Sequence, residues 1–373
     1  MPRVDTNDLL RHARRHGYAI AAFEVGNLPS LKAATEAAES SQAPVILSVT
    51  EGRYEPRDFS VFMAALEHAA DNCSAPIAVQ AQIRNLESAV RAINLGCTSI
   101  KVEGTSGDPD AHQALTRSVV EMAHGCGVAV EGPPIRIVLD THELKNATAR
   151  HCLEATFGVV KDYVAQTGID CCAVVLAIPN PATSAHLDTT GLERLNATAA
   201  MPLALALPGV LSQAQCAALI QHGIAKIDFG DSCSQLEHKL GLLGSAGRTT
   251  DILKECQSWR PVQHVIVYNA SGTSDARLAA IMAQGEHVLR AIPGVRHVFA
   301  GWAVAEAAQY RCCWLVEFVH AKVIASYRQH PDHVAFADNY FRPIAQDRMS
   351  IDFAANGTRL ASPAIPPSSF GIR

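Results

Sequence analysis

Apolar and polar positions along the first two thirds of the chain follow two alternating periods. Short apolar or β-branched runs recur at Tyr18–Val25, Val45–Val49, Ile77–Ala81, Thr98–Glu103, Val128–Glu131, Cys171–Ala177, Leu203–Leu207 and Ala225–Phe229. Between them apolar residues fall at helical spacing, as in Leu31–Ser40, Asp58–Ala70, His112–His124, Leu153–Thr167, Thr190–Ala199 and Ser212–His222. Gly96, Gly127, Gly168 and Gly223 each stand shortly before a strand, where a helix C-cap belongs. Strand, glycine-stopped helix, strand is the signature of a parallel sheet. Eight such strands in roughly 230 residues predict a (β/α)8 TIM barrel rather than an open sheet. The irregular connection is Gly132 to Cys152, which opens with Pro133-Pro134 and reads as a functional or mobile loop at the barrel mouth.

The pattern changes after residue 240. Residues 241–261 read as a linker helix and linker ended by Pro261. Val262–Tyr268 then predicts a strand, Ser274–Ala291 a helix, Val295–Val304 and Cys312–Phe318 two strands, Ala321–Gln329 a helix, and His333–Phe353 a closing helix and strand. That order is an α+β ferredoxin-like plait. The expected division is a barrel over 1–240, a linker over 241–261, a plait over 262–354 and a Pro/Ser-rich tail over 355–373.

Composition narrows the function classes. A formal charge of -5 offers no basic face, so no nucleic-acid partner is expected. No apolar run approaches the ~18 residues of a membrane span, and the first residues, MPRVDTNDLLRHARRHG, lack the apolar core of a secretory signal. A cytoplasmic protein without membrane contact is expected. The eleven cysteines are odd in number, form no Cys-x-x-Cys pair, and include Cys171-Cys172 and Cys312-Cys313 inside apolar runs. They read as reduced core thiols.

In a parallel α/β fold, ligands sit at the carboxyl ends of the strands. There this chain carries Gln80, Gln82, Lys101 and Glu103, with Glu24, Glu131, Lys226 and Asp228 at corresponding positions of other strands. Strand alternation puts Lys101 on one face with Glu103, and Lys226 on one face with Asp228.

With these elements placed, residues 8–235 resemble the class II, zinc-dependent fructose- and tagatose-bisphosphate aldolases. The resemblance rests on Tyr18-Ala19-Ile20 with Ala22-Phe23, Val25 and Asn27; Glu36-Ala37-Ala38; Pro44-Val45-Ile46; Pro76; and Ala92-Ile93 with Gly96. It continues through Thr98-Ser99, Gly104, Ala123-His124, Gly127, Val130-Glu131, Thr167-Gly168, Asp170, Leu187-Asp188, Leu195, Pro202-Leu203 and Gly223-Ile224 with Lys226-Ile227. The resemblance implies the barrel but not the chemistry. Where the family has LHLDH on strand three, this chain reads VQAQI, with Gln82 for the acid/base Asp and Ile83 for a zinc His. The second zinc His falls at or near Asn180, and the third at Ala206. The phosphate-binding GGSG turn is replaced by Leu207-Pro208-Gly209-Val210. Isoleucine and alanine do not ligate a metal and glutamine is no base. A bisphosphate beside Glu103, Asp228 and Asp231 is electrostatically disfavoured.

The expectation is therefore a rebuilt pocket with no metal and no cofactor. Lys101 is the candidate Schiff-base or electrophilic lysine, with Glu103 or Glu131 as acid/base, and Lys226 and Asp228 complete the catalytic set. Glu24, Gln80, Gln82 and Asn180 are the candidate substrate-binding residues. The alternative is a barrel whose buried Lys–Glu and Lys–Asp pairs only scaffold. His142, Glu143, His151 and His186 match no ligand spacing and read as surface residues; His124 reads as structural.

Residues 262–354 resemble the stress-responsive dimeric α/β-barrel (Dabb) domains. The matching residues are His264, Ile292-Pro293-Gly294-Val295, Gly301, Val316-Glu317-Phe318, Ala325, Tyr327, His330-Pro331, His333-Val334 and Asp352. The resemblance implies a homodimer or higher homo-oligomer. In some relatives a Tyr/His pair promotes intramolecular aldol condensation, and Tyr327 and His333 stand at that pair, with His264 as a further pocket residue. Three functions follow as expectations. The first is a metal-independent, aldolase-like enzyme of specialised metabolism acting on a small carbonyl compound. The others are a non-catalytic scaffold or ligand sensor, and polyketide-cyclase-like chemistry in the second domain.

Overall fold

The computed structural model describes residues 3–103, 108–132, 135–138, 158–177, 189–206, 211–230 and 234–354. The strands in chain order are β1 Arg3–Val4, β2 Ile20–Glu24, β3 Val45–Thr50, β4 Ile77–Ile83, β5 Ser99–Val102, β6 Ala129–Glu131, β7 Ile135–Val138, β8 Cys172–Ala177, β9 Leu203–Ala206 and β10 Ile224–Asp228. They continue with β11 Ser258–Trp259, β12 Val262–Asn269, β13 Val295–Trp302, β14 Cys312–Phe318 and β15 Asp347–Ala354.

The large sheet is parallel, ordered β6-β5-β4-β3-β2-β10-β9-β8-β7. A bridge from Glu131 to Cys171 joins β6 to the start of β8 and closes the ring. All eight strands expected from the sequence are present. The segment read as a loop after Gly132 differs: Ile135–Val138 is a strand that pairs parallel with β8. The neighbouring Pro133-Pro134 masks it in the sequence, because proline has no N–H for a ladder and reads as a break.

Alternation along each strand separates two cores. Odd-phase residues such as Val45, Leu47, Ile77, Val79 and Ile83 pack outward under the helices. The inward floor is Ile20, Ala22, Ile46, Ala78, Cys171 and Ala204, plugged by Val4, Leu9, Leu10, Ala13 and Tyr18 of the N-terminal segment. The plug is a helix, Thr6–His16, capped by Asp5 and stopped by Gly17 at φ 67. Its first turn carries few apolar residues, so periodicity alone does not announce it.

The linker region also differs from its expectation. It forms two short helices, Leu236–Leu242 and Thr249–Glu255, and then β11, which pairs antiparallel with β1. The connection is thus part of the barrel floor. The second sheet is antiparallel in the order β13-β14-β12-β15, with helices Asp275–Arg290, Val323–Gln329 and Pro331–Phe336 on one face, the ferredoxin-like arrangement.

The plait meets the barrel at the C-terminal ends of its helices, hence below the strands. Ser326 Oγ donates to the Gly125 carbonyl, the Gly294 amide donates to Asn94 Oδ1, and Arg296 forks onto the Glu67 carboxylate. Glu67 also pairs with the buried Arg3, whose Nη1 donates to the Gly96 carbonyl at 2.8 Å. Gly96 has φ +88, and a Cβ there would stand 2.9 Å from Arg3 Nη1, so only glycine admits this contact.

Candidate active site

Parallel register decides which inward side chains meet. Gln80 on β4 lies beside Ser99 on β5, Gln82 beside Lys101, and Lys101 beside Glu131 on β6. Across the barrel, Lys226 and Asp228 on β10 are level with Ile20 and Ala22. The four charged groups converge on the axis. Lys226, with no solvent exposure, places Nζ 2.6 Å from Glu131 Oε2, 2.7 Å from Asp228 Oδ1 and 2.8 Å from Gln80 Oε1. Lys101 Nζ lies 2.5 Å from Asp228 Oδ2 and 3.2 Å from Glu131 Oε1. Gln80 Nε2 donates to Glu131 Oε2 at 3.0 Å.

Two ammonium and two carboxylate groups therefore alternate in a ring of zero net charge. Such a ring is what allows four charges to be buried together. Burial alone would lower the Lys101 pKa, but Glu131 and Asp228 more than reverse this and hold it above the ordinary lysine value. Burial would raise the Asp228 carboxyl, yet Lys226 and Lys101 hold it below its usual range. A Schiff base needs a free amine, and these electrostatics read against that role for Lys101. An ammonium that faces a developing oxyanion is compatible with them.

The rim forms a second layer. Glu24 accepts from Thr50 Oγ1 at 2.7 Å and lies 3.1 Å from Arg53, while Gln82 Nε2 donates to Ser48 Oγ at 3.0 Å. Glu103 is 2.5 Å from Arg84 Nε. Of the two carboxylates expected beside Lys101, Glu131 is in contact and Glu103 is engaged by Arg84. The sequence does not single out Arg53 and Arg84, although Arg84 directly follows the carboxyl end of β4 and Arg53 ends the one-turn helix Glu51–Arg53 that leaves β3, where site residues collect. Asn180, Asp231, Leu207–Val210, His142, Glu143, His151, His186 and the tail from 355 lie outside the described residues. His124 pairs with Asp170 at 2.8 Å, and the same Asp170 oxygen accepts the Val130 amide, a structural tie.

Zinc does not fit the described part of this mouth. Ile83 is 1% exposed and packed in the outer core, Ala206 has no donor atom, and the axis is held by two ammonium groups. Among the described residues, the His/Cys/Asp/Glu group close enough to share a cation is His12, His16 and Glu255, at the barrel floor.

The second domain holds a separate cluster below the barrel. His264 on β12 is the register partner of Asp352 on β15, and Nδ1 is 2.6 Å from Asp352 Oδ1. Arg328 also reaches Asp352, at 3.3 Å. The Tyr327 ring is 4.3 Å from that of His333 and 6.3 Å from that of His264. Burial raises the Tyr327 phenol and lowers His333, favouring the neutral form of both. The Nδ1 of His333 contacts the Arg328 carbonyl at 3.3 Å; as the donor there, it leaves Nε2 as the free base.

Residues 4–239 match the class-II fructose-bisphosphate aldolase family, and the chain belongs to that family. Residues 262–355 match the stress responsive A/B barrel domain, so the plait is a Dabb domain. Over 235 residues the chain is 28% identical to a probable fructose-bisphosphate aldolase of Bacillus subtilis (strain 168), spanning 61% of this chain and 81% of that protein. Over 228 residues it is 26% identical to the D-tagatose-1,6-bisphosphate aldolase subunit GatY of Klebsiella oxytoca, spanning 60% and 80%. Among solved structures, the YdjI aldolase from Escherichia coli K12 superposes with a TM-score of 0.54 at 22% identity, covering 66% of this chain and 99% of that one. That likeness concerns the fold. No helix among the described residues is long and apolar enough to cross a membrane.

Proposed function

We propose that the barrel is a metal-independent, aldolase-like lyase that makes or breaks a C–C bond in a small carbonyl compound, or isomerises one, in specialised metabolism. The observation that carries this reading is the Lys101–Asp228 pair, 2.5 Å apart and partly open to the mouth at 12% and 18% exposure, above a fully buried Lys226. In the cleavage direction the Asp228 carboxylate takes the proton of the hydroxyl β to the carbonyl. The bond between the α and β carbons then breaks, and its electron pair passes to the carbonyl oxygen. The Lys101 ammonium faces that enolate oxygen, and Asp228 returns its proton to the α carbon. Lys226, Glu131 and the buried Gln80 act as positioning residues, and Gln82 and Glu24 supply polar contacts to the substrate. Glu103, tied to Arg84, orders the rim. Among the described residues the rim arginines Arg53 and Arg84 are each paired with a carboxylate, which favours an uncharged or singly charged substrate over a bisphosphate.

A second reading places aldol chemistry in the Dabb pocket. It is supported by the His264–Asp352 contact and by the neighbouring Tyr327 and His333 rings. The test is turnover of a panel of β-hydroxy carbonyl compounds by Lys101→Ala and His333→Ala, each with and without prior chelation. Loss in Lys101→Ala alone, with chelated wild type fully active, supports the barrel lyase. Loss in His333→Ala alone transfers the chemistry to the Dabb pocket. Chelation that abolishes turnover overturns metal independence, full activity in both variants removes both residues from the chemistry, and a wild type that turns over no member of the panel leaves the scaffold or sensor role.

A further inference from the structure

The floor of the barrel carries a side-chain cluster that the mouth chemistry does not use. His12 and His16 lie four residues apart, one turn along the same face of the helix Thr6–His16. Their rings stand 4.2 Å apart, centre to centre. Glu255, the last residue of the helix Thr249–Glu255, faces both: its Oε2 is 3.7 Å from His12 Nε2 and 3.6 Å from His16 Nε2. All three ligand atoms fall within 4.8 Å of one another. Donors around a tetrahedral zinc, each ~2.0–2.1 Å from the ion, stand about 3.3 Å apart, close to the 3.6 and 3.7 Å that separate Glu255 Oε2 from the two imidazole nitrogens.

A second observation is independent of that spacing. His12 is 2% exposed, and its Nε2 is buried with no hydrogen-bond partner. Its other nitrogen, Nδ1, is 2.8 Å from the Tyr18 hydroxyl. When Nδ1–H donates to the phenol oxygen, Nε2 presents its lone pair toward His16 and Glu255. A hydrogen-bond partner fixed on one ring nitrogen is how metal-binding histidines are oriented. A buried nitrogen without a partner is costly unless something fills its lone pair.

We propose that His12, His16 and Glu255 bind one divalent transition-metal ion of the zinc type, with solvent completing the coordination. Two imidazoles and one carboxylate suit such an ion better than magnesium or calcium, which take oxygen ligands. Arg15, 3.3 Å from Glu255 and 67% exposed, swings away as the ion arrives. The ion ties the N-terminal plug to the segment that leads into the Dabb domain, locking the barrel floor.

The experiment uses the untagged full-length chain, stripped with chelator and titrated with Co²⁺ and Zn²⁺. The expected result is one equivalent of Co²⁺ with visible absorption bands of low-symmetry N/O coordination, displaced by Zn²⁺, and a melting temperature that rises with zinc. His16→Ala and Glu255→Gln change partly exposed side chains, so their metal-free melting temperatures stay near wild type. Their affinity falls by about tenfold or more, and the zinc-dependent rise in melting temperature disappears. A wild type that binds no Co²⁺, or variants that bind it as tightly as wild type, overturns the assignment.

Discussion

Lys226 Nζ lies 2.6 Å from Glu131 Oε2 at the centre of the barrel, and both side chains are closed to solvent. Neither charge would be tolerated there alone. Lys226→Met leaves Glu131 and Asp228 with one ammonium between them and is expected to cost about 3–5 kcal/mol. Lys226→Met combined with Glu131→Leu removes both members, and Lys101 and Asp228 still neutralise each other. Urea unfolding should show the double variant recovering more than half of that loss. A double variant as unstable as the single one would mean that lost packing, and not an unpaired charge, sets the cost.

The same ring predicts a pH dependence. Asp228 has a depressed folded-state pKa, so its contribution is present above the unfolded carboxyl value of ~3.9 and is lost as pH falls through the folded value. Lys101 has a raised folded-state pKa, so its contribution is complete below the unfolded value of ~10.4 and is lost as pH rises toward the folded value. The stability gap between wild type and Asp228→Asn should be flat from about pH 5 to 9 and shrink below about pH 4. Denaturation midpoints across that range measure it, and a gap that widens in acid would contradict the sign.

Glu67 holds the two domains together through Arg3 on one side and Arg296 on the other. Arg3 is 1% exposed and Arg296 is 23% exposed in its side chain, so the two partners differ in what their loss exposes. Glu67→Gln leaves the Arg3 guanidinium with Asp71 and the Gly96 carbonyl only, and should cost about 3 kcal/mol. Arg296→Ala removes the partly exposed side and should cost about 1 kcal/mol. Hydrogen exchange should show the loss from Arg296→Ala concentrated in β13 and the adjoining barrel helix ends. Uniform acceleration over the whole barrel would show that the contact is not local.

How much of this was legible in the sequence depended on the range of the interaction. The eight barrel strands follow from local periodicity and glycine stops, and the inward phase of Lys101, Lys226 and Asp228 follows from alternation. Which carboxylate meets Lys101 does not, because Glu103 is two residues along the same strand while Glu131 is on its neighbour, in register. The pairing of β1 with β11 joins the start of the chain to the end of the barrel segment, and no local signal announces it. Nothing in the sequence brings His12 and His16 to Glu255, because the helix that carries them buries its apolar side in a barrel floor assembled from distant strands.

The outer face of the Dabb sheet gives the last prediction. Phe299 on β13, and Met349, Ile351 and Phe353 on β15, are 42–51% exposed, and they share this face with the half-buried Val265 and Leu315. The opposite face of the same sheet is covered by the domain's helices. An apolar sheet face of this size is expected to be covered by a second copy of the chain, sheet against sheet. Burying each large apolar side chain contributes about 1.5–3 kcal/mol, so a charge placed at its centre should weaken association by far more than tenfold. Ile351→Asp changes a side chain that is exposed in the single chain, so folding should be nearly unaffected. Light scattering after size exclusion should give a dimer mass for wild type and a monomer mass for the variant. An unchanged dimer mass in the variant would assign the interface to another surface, and a monomeric wild type would remove the dimer itself.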